Sequence, residues 1–159
     1  MATTRRGTEA PTIDIRNART ADAAGLAPLL DALGYPAETA TIAQRLEALR
    51  AADPTSRVLV AVTGGAIAGF ATLHITPVLH RPTAVGRITG IAVLPSLKGS
   101  GVGRALVRAA EAYFKQLGLA RLEVTSGPTH AAAYDFYRHL GYDEQGVRFA
   151  KPLEGRPTP

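Results

Sequence analysis

The residues best suited to chemistry in this chain lie in a glycine-rich turn past its midpoint, Lys98-Gly-Ser-Gly-Val-Gly-Arg104. Because Gly99, Gly101 and Gly103 carry no Cβ atom, a ligand can approach the backbone N–H groups of this turn closely. The apolar residues before the turn predict a strand, and the spacing after it predicts a helix to about Leu117. The free N–H groups and positive dipole end of a helix N-terminus favour an anion such as phosphate. The stretch therefore predicts a pyrophosphate-binding turn, although a purely structural turn uses glycine in the same way.

Two other phosphate-binding motifs fit this turn poorly. The P-loop requires Lys-Ser or Lys-Thr after its last glycine, whereas Gly103 is followed by Arg104-Ala105. A dinucleotide-binding turn follows the first strand of its βαβ unit, with an acid about 20 residues further on. Here the turn lies past the middle of the chain, and the acid at that spacing, Glu123, is inside the next predicted strand. Both classes of nucleotide-binding protein are therefore disfavoured.

Composition limits the classes of protein to consider. The 159 residues are 46% hydrophobic and 19% charged, which is ordinary for a globular domain with a sizeable core. The chain has no cysteine, which excludes disulfides, Cys-ligated metal sites and a Cys nucleophile, and we expect no metal. No apolar run has the length of a membrane span or the position of a signal peptide, so a cytoplasmic protein is expected. The net charge of +5 is scattered, which favours a polyanionic cofactor and makes nucleic acid an unlikely partner.

The hydrophobic patterns predict the elements that must position the turn. The predicted strands span residues 12–16, 57–63, 66–75, 84–93, 119–126 and 147–153, and the predicted helices span about 20–33, 38–52, 102–117 and 130–140. We expect residues 1–11 to be a disordered leader, residues 12–153 to form one domain and residues 154–159 to be a tail.

Several local features of these elements are specific enough to test. Gly64-Gly65 predicts a hairpin turn, and Gly90 inside the fourth strand predicts a bulge or a close approach of another backbone. Thr20 or Asp22 is expected to cap the first helix. Alternation in the third strand places Ile67, Ala71, Leu73 and Ile75 on one side of the sheet and Ala68, Phe70, Thr72 and His74 on the other.

Three motifs in order resemble those of one enzyme family. Lys98-Gly-Ser-Gly-Val-Gly103 resembles the acetyl-CoA signature Arg/Gln-x-x-Gly-x-Gly/Ala of the GNAT superfamily of N-acetyltransferases, with lysine where arginine or glutamine is usual. The strand ending Ile91-Ala-Val-Leu-Pro95 and the helix Ala131-Ala-Ala-Tyr-Asp-Phe-Tyr-Arg-His-Leu-Gly-Tyr142 also match, and the resemblance spans about residues 13–153. It implies the mixed α/β (α+β) GNAT acyltransferase fold, with a central mixed, mostly antiparallel sheet and about four helices.

The resemblance also implies where acetyl-CoA lies. In this family the fourth and fifth strands splay apart, and the acyl-CoA occupies the gap with its pantetheine arm along the fourth strand. A backbone N–H of Ala92 or Val93 would stabilise the oxyanion. His130 stands where the family often has an asparagine that contacts the cofactor, and a polar residue at a helix start is an equal alternative. The implied cofactor-binding residues are Ile91, Ala92, Val93, Lys98, Gly99, Ser100, Gly101, Val102, Gly103, Arg104 and His130.

The resemblance implies a general acid but no clear general base. Tyr137 occupies the place of the tyrosine that many members use as general acid toward the departing thiolate, although a core aromatic on an amphipathic helix has the same spacing. The strand from Arg87 to Val93 contains no carboxylate to act as general base. Glu123, His74 and His80 are the candidates, and each has a structural or substrate-contacting alternative.

The acceptor pocket is the least specified part of the site. The family builds it from the first two helices, the loop after the third strand and the last hairpin, which implies Tyr35 and His80 as lining residues, with Tyr142 as a further candidate. Tyr35 has the alternative of packing between the two helices. The implied function is direct transfer of the acetyl group from acetyl-CoA to a primary amine in a ternary complex, with a small-molecule or peptide acceptor and a possible homodimer. A non-catalytic acyl-CoA-binding module and a nucleotide- or nucleic-acid-binding protein are the alternatives.

Overall fold

The structure is a computed structural model that describes residues 11–125 and 131–153. The predicted leader, apart from Pro11, and the predicted tail lie outside these residues. The strands are β1 (Asp14–Asn17), β2 (Arg57–Thr63), β3 (Ala66–Thr76), β4 (Val85–Val93) and β5 (Leu122–Val124). The helices are α1 (Ala23–Ala32), α2 (Thr39–Ala52), α3 (Val102–Gln116) and α4 (Ala131–His139), with short 3₁₀ turns at Thr20–Asp22 and Pro95–Leu97.

The five strands form one sheet in the order of the sequence, β1-β2-β3-β4-β5. Neighbours are antiparallel except β4 and β5, which are parallel. Gly64 and Gly65 both have positive φ, 57° and 78°, and join β2 to β3 through the tight hairpin that their sequence predicts. The prediction of a mixed, mostly antiparallel sheet with about four helices is confirmed.

Two apolar layers cover the two faces of the sheet. On the first face, α3 packs its buried stripe onto β2, β3 and β4; its buried residues are Val102, Leu106, Val107, Ala110 and Phe114. A Cβ atom at Gly86 of β4 would lie 2.6 Å from the Phe114 ring, so the glycine is what lets this ring lie against the strand. On the second face, α1 and α2 bury Leu26, Leu29, Ile42 and Leu46 around Val60 and Phe70. The first face is called the α3 face and the second the α1–α2 face below.

Bulges interrupt two of the strand pairs. Thr72 pairs with Gly90 and Leu73 with Ile88, so Thr89 is an extra residue in β4 and the bulge predicted at Gly90 is confirmed. Ala61 pairs with Gly69 and Val62 with Ile67, which leaves Ala68 as an extra residue in β3.

The bulge in β3 corrects one prediction from alternation. Ala68 packs on the α3 face with Ala71 and Leu73, whereas Ile67 packs on the α1–α2 face with Phe70. The predicted sides of Ile67 and Ala68 were therefore wrong, because one inserted residue reverses the alternation before it.

The predicted last strand over residues 147–153 is wrong. Residues 143–153 have no regular secondary structure, and the side chains of Val147 and Phe149 are 79% and 91% exposed. Alternating apolar residues form a strand only beside a partner, and the nearest strand along the chain, β5, is three residues long. β5 is also shorter than predicted, because Leu119 belongs to the C-terminal turn of α3 and its N–H donates to Phe114 O.

The start of the first helix differs in detail from the prediction. Asp22 is the N-cap residue of α1, but its carboxylate accepts no hydrogen bond from the helix. Its hydrogen-bond donors come from residues that precede it. It accepts from the Arg19 N–H at 2.7 Å and from both Nη atoms of Arg16 at 2.7 and 2.9 Å. This pairing ties the end of β1 to the 3₁₀ turn that precedes α1.

None of the helices in the described ranges combines the length and apolar composition needed to cross a membrane.

Candidate active site

The second half of β4 has an open edge. β5 pairs with β4 only from Gly86 to Ile88, and Val124 is its last residue. Beyond the bulge, Ile91, Ala92 and Val93 pair with β3 on one side, and no strand among the described residues pairs with their other side. The early end of β5 and the bulge thus open a gap next to residues 91–93, as the resemblance implied.

The backbone register decides which N–H groups point into this gap. The Leu94 N–H donates to Ala68 O at 2.8 Å, on the β3 side. Because successive residues of a strand point their N–H and C=O groups to opposite edges, the Ala92 N–H also faces β3. Ile91 and Val93 therefore present their N–H and C=O groups to the gap, and of the two predicted oxyanion donors it is Val93 that faces it.

The glycine-rich turn lies directly after the open edge and starts α3. Gly99 and Gly101 have φ of 80° and 91°, a region that glycine enters without steric cost, and Gly101 is the N-cap of the helix. The Ala105 N–H donates to Gly101 O, so the three N–H groups before it have no partner within the helix. They belong to Val102, Gly103 and Arg104.

The surroundings of this turn are open to a ligand. A Cβ atom at Gly99 would meet no atom within 4 Å, and one at Gly101 would meet only Ile13 Cδ1 at 3.9 Å. The side chains of Lys98 and Arg104 are exposed on either side. The Lys98 and Ser100 N–H groups are used within the turn, where they donate to Pro95 O and Leu97 O at 3.4 and 3.2 Å. The N–H groups left for an anion are thus those of Gly99 and of residues 101–104.

Helix α4 brings an aromatic group to the side of the gap. A Cβ atom at Gly103 would lie 3.3 Å from Phe136 Cζ and 3.7 Å from Val93 Cγ2, so Phe136 sits against both the helix start and the end of β4. Tyr137 is half-buried in the next position, and its ring packs edge-on against that of Phe136 with centroids 5.1 Å apart. Burial raises the pKa of Tyr137 to about 12, so this phenol is protonated at neutral pH.

Tyr142 supports this aromatic group from the side of α3. Its ring packs edge-on against Tyr137 with centroids 5.6 Å apart, and its hydroxyl donates to Glu111 Oε1 on α3 at 3.0 Å. Burial and the neighbouring Glu111 carboxylate raise the pKa of Tyr142. Phe136 lies inside the helix motif quoted above, but its position beside Gly103 and Val93 depends on tertiary packing that the motif does not indicate. Glu111 belongs to none of the three motifs, so its bond to Tyr142 could not be predicted.

Of the candidate general bases, Glu123 is held in ion pairs. Its carboxylate accepts from Arg121 Nε at 2.7 Å and lies 3.4 Å from Arg87 Nη2. The hydrogen bond from Arg121 is the main reason that the pKa of Glu123 lies below its ordinary value. A carboxylate stabilised in this way is a weak base, which favours its structural alternative.

His74 lies in a hydrogen-bonded group that the sequence did not indicate. Its Nδ1 is 2.9 Å from Ser56 Oγ, and Ser56 Oγ is 2.9 Å from Asp53 Oδ2. Asp53 also accepts from the Thr55 N–H and hydroxyl at 2.8 and 2.7 Å. The Asp53-Pro-Thr-Ser56 segment after α2 has the sequence of a typical side-chain-capped turn. The turn could therefore be predicted from the sequence, whereas its contact with His74 could not.

The remaining predicted residues lie on exposed loops or outside the described residues. Tyr35 is 58% exposed in the loop after α1, and His80 is exposed in the turn between β3 and β4. Because Gly69 pairs with Val93 and Thr76 with Val85, that turn lies at the opposite end of β4 from the glycine turn. His130 lies outside the described residues. Within the described ranges, no three His, Asp or Glu side chains are grouped as they would be to hold a metal ion.

A cavity of about 250 Å³ lies on the α1–α2 face of the sheet, between α2 and the strands β2 and β3. Its lining includes Asn17, Arg50, Ser56 and Thr72. Arg50 is anchored there by a hydrogen bond from Nη2 to Ala18 O at 3.2 Å. The lining also includes Leu46, Leu49 and Val58 and a second arginine, Arg57, so the cavity is mostly apolar with two basic residues.

Comparison with known proteins gives a consistent picture. Residues 27–142 match the sequence profile of the acetyltransferase (GNAT) family. The chain is 31% identical over 101 residues to the aminoalkylphosphonate N-acetyltransferase of Salmonella typhimurium, a match covering 64% of this chain and 66%, just under two thirds, of that relative. It is 34% identical over 151 residues to the type 1 aminoglycoside N(6')-acetyltransferase of Stenotrophomonas maltophilia, covering 91% of this chain and 95% of that protein.

The fold is also that of a solved enzyme. A crystal form of an aminoglycoside N-acetyltransferase in complex with CoA superimposes with a TM-score of 0.80, covering 93% of this chain and 99% of the other at 20% identity. At that identity the likeness concerns the fold alone.

Proposed function

The chain belongs to the GNAT family of acetyltransferases, and we propose on that basis that it transfers the acetyl group of acetyl-CoA to a primary amine. The observation that carries the proposal is the open edge of β4, with Ile91 and Val93 facing the gap and leading into a glycine turn with unpaired N–H groups. An extended pantetheine arm fits such an edge as an added strand, and a pyrophosphate fits the helix start.

Each part of the site has a definite task in this proposal. Bound acetyl-CoA supplies an acetyl group activated as a thioester. The Val93 N–H, which faces the gap, donates to the carbonyl oxygen on which negative charge develops. The Tyr137 hydroxyl donates a hydrogen bond to the departing sulfur. In the overall reaction a C–N bond forms and a C–S bond breaks, while one proton leaves the amine and one is gained by the sulfur.

The protonation state of Tyr137 suits a donor. With a pKa of about 12, it keeps its proton at every pH near neutrality. Complete transfer of that proton to a thiolate of ordinary basicity, near pKa 8.5, is uphill by roughly 5 kcal/mol in the absence of other groups. The proposed role is therefore hydrogen bonding to the sulfur while negative charge develops, with the final proton supplied through solvent.

The acceptor is proposed to be a small amine that also carries an anionic group. The two relatives act, by their names, on aminoalkylphosphonates and on aminoglycosides, which differ in the sign of their charge. Two arginines, Arg50 and Arg57, line the cavity on the α1–α2 face, and no Asp or Glu of the described residues lines it. This lining favours an anionic amine over a polycation.

Three finer points of the proposal remain predictions. The proposed use of acetyl-CoA is consistent with action in the cytoplasm, where this metabolite is available. The reaction needs no metal, because amine attack on a thioester requires only positioned donors and a neutral nitrogen. A homodimer is a further prediction, to be checked by the mass of the protein in solution.

The first experiment is thermal melting of the protein with acetyl-CoA, CoA and ATP in parallel. A ligand that binds only the folded state stabilises it by about 2.7 kcal/mol at a hundredfold excess over Kd, so both CoA species should raise Tm and ATP should not. CoA release is then measured with 2-aminoethylphosphonate and with an aminoglycoside, and we expect the phosphonate to have the higher kcat/KM. Binding of acetyl-CoA without release of CoA for any amine would instead indicate a non-catalytic acyl-CoA-binding module.

A further inference from the structure

The arginine in the last turn of α2 has hydrogen-bonding capacity that the fold does not use. Arg50 is exposed, and its Nη2 donates to Ala18 O at 3.2 Å. Among the described residues it makes no other side-chain hydrogen bond and no ion pair. A guanidinium carries several N–H donors in a planar fork, so most of them remain for a ligand. Because Ala18 also lines the cavity on the α1–α2 face, this bond holds the fork at the cavity wall.

The other charged groups near the cavity are already engaged. Arg57 Nη1 donates to Ser56 O at 2.9 Å, and its guanidinium carbon lies 5.2 Å from the centroid of the Tyr113 ring on α3. The Asp53 carboxylate, which is linked to the cavity through Ser56, accepts three hydrogen bonds from the turn that it caps. Arg50 is therefore the lining residue best able to bind an anion in the cavity.

The cavity borders the surface that leads to the open edge of β4. β4 contributes no lining residue, but Thr72 lines the cavity and pairs with Gly90, the residue before the open edge at residues 91–93. A Cβ atom at Gly90 would lie 3.9 Å from Thr72 Oγ1 and 3.7 Å from Phe70 Cε2. Phe70 belongs to the α1–α2 face, so the unfilled surface of Gly90 is on the same face as the cavity. A ligand can thus extend over Thr72 and Gly90 from one place to the other.

The strand register sets the length of ligand that this path requires. Val93 pairs with Gly69, and Thr72 is three residues further along β3. At about 3.3 Å per residue, that interval is about 10 Å along the strand. Arg50 is further still, because its partner Ala18 bonds to Val58 on β2, about 4.8 Å beyond β3. In 2-aminoethylphosphonate only three bonds of about 1.5 Å separate nitrogen from phosphorus, which is short for this distance.

We propose that Arg50 is a specificity-determining residue, which binds the anionic group of the acceptor in the cavity while the amine lies at the open edge of β4. The preferred acceptor then carries its amine and its anionic group on a chain longer than two carbons. This inference rests on the proposed function. The anionic group is an oxyanion such as phosphonate or carboxylate, because both present paired oxygens to a guanidinium fork. The apolar lining residues Leu46, Leu49 and Val58 accommodate the alkyl chain.

The decisive measurement compares aminoalkylphosphonates of two, three and five carbons with alkylamines of the same lengths. The ratio of kcat/KM within each pair isolates the contribution of the phosphonate, since a general loss of activity cancels. In the wild type this ratio should rise with chain length, and Arg50→Gln should lower it by about 10–100-fold for the five-carbon pair, as expected for a hydrogen bond to a charged group. Arg45→Gln, exposed on the same helix and outside the cavity lining, is the matched control and should behave as the wild type. A ratio that does not depend on length, or that Arg50→Gln retains, would overturn the proposal.

Binding of pentylphosphonate, which has no amine, tests the same site without catalysis. By calorimetry the wild type and Arg45→Gln should bind it, and Arg50→Gln should bind at least tenfold more weakly. Arg50→Lys should restore only part of the affinity, because lysine keeps the charge but not the fork. Thermal unfolding confirms that each variant is folded, and equal affinities for wild type and Arg50→Gln would contradict the assignment. If acetyl-CoA binds but no amine releases CoA, the proposed function fails and the acceptor role with it, whereas the calorimetry still decides whether Arg50 binds an anion.

Discussion

At the residue scale, two side chains show how their neighbours set their acidity. Burial among the aromatic rings of α4 and Tyr142 raises the pKa of Tyr137 to about 12. The bidentate contact with the Arg16 guanidinium, which is the largest cause, lowers the pKa of Asp22. The first effect keeps a hydrogen-bond donor beside the gap, and the second keeps an ion pair between β1 and the start of α1.

Replacing Tyr137 by phenylalanine should lower kcat and leave acetyl-CoA affinity unchanged, because the hydroxyl acts only when charge develops on the sulfur. The loss of one donor to a developing charge corresponds to about 10²–10³-fold in kcat. Steady-state kinetics and calorimetry with CoA measure the two quantities, and Tyr134→Phe on the same helix is the matched control. A Tyr137→Phe enzyme with the wild-type kcat would remove the hydroxyl from the mechanism.

The pH dependence of kcat should also reflect the protonated state of Tyr137. Because the folded pKa of Tyr137 is raised to about 12, the phenol stays protonated and the rate should show no alkaline decline below about pH 11. The wild-type profile of kcat, measured up to the alkaline limit of stability, checks this. A decline centred near pH 10 would indicate that the phenol has its ordinary pKa when acetyl-CoA is bound.

Asp22→Asn should destabilise the protein by about 1–3 kcal/mol at neutral pH, between the values for exposed and buried ion pairs. Since the folded pKa of Asp22 is lowered, its contribution is present above the unfolded value, about 3.9, and is lost as the pH falls through the folded pKa. Urea unfolding should therefore show the difference from wild type narrowing below about pH 4. Asp31→Asn, exposed on α1, is the control and should stay within about 0.5 kcal/mol of wild type.

At the element scale, α3 combines two tasks. Its buried stripe anchors the helix to the sheet, and its first turn supplies the unpaired N–H groups next to the open edge of β4. Left-handed glycines begin and end the helix, Gly101 with φ of 91° and Gly118 with φ of 75°. Only Gly101 adjoins the gap. Substitutions at the two glycines therefore distinguish an effect on ligand binding from an effect of backbone strain.

Gly101→Glu should abolish CoA binding, because it adds bulk and negative charge where the pyrophosphate is proposed to lie. Gly118→Glu imposes the same left-handed strain and the same charge at the other end of α3, where a Cβ atom would meet nothing within 4 Å. Both variants should lose about 1–2 kcal/mol of stability, but only Gly101→Glu should lose affinity by calorimetry. Equal CoA affinities for the two variants would contradict the assignment of the turn.

At the scale of the whole molecule, the two faces of the sheet differ. The α3 face carries α3 and the aromatic group of α4, while the α1–α2 face holds the cavity with Arg50 and the His74–Ser56 contact. The chain as a whole has a net charge of +5, which favours the polyanionic ligand of the proposed function.

The KM for acetyl-CoA should rise several-fold between 0.1 M and 1 M salt, because the screening length falls from about 10 Å to about 3 Å. Lys98→Gln, at the glycine turn, should weaken this salt dependence, whereas Lys115→Gln, at the far end of α3, should leave it unchanged. Initial rates at saturating amine measure the effect. A KM that does not respond to salt would argue against charge attraction at the turn.

Much of the fold was already determined by local sequence. Nine of the ten predicted helices and strands form. The hairpin at Gly64-Gly65, the bulge at Gly90 and the turn before α3 lie where glycine predicts them. These features follow from residues adjacent along the chain, whose hydrophobic period and backbone freedom decide the conformation without distant partners. The same local motifs were sufficient to indicate the family.

Tertiary structure alone decided what depends on strand register and distant partners. It leaves residues 147–153 unpaired and inserts Ala68 as a bulge. It also turns the Val93 N–H, and not that of Ala92, toward the gap, and joins His74 to Ser56 across 18 positions of sequence. Residues 147–153 form no strand because no strand among the described residues pairs with them. The other three features depend on register. A single inserted residue reverses the side chains and N–H groups on one side of it along a strand, and hydrogen bonds between side chains far apart along the chain form only once that register is set.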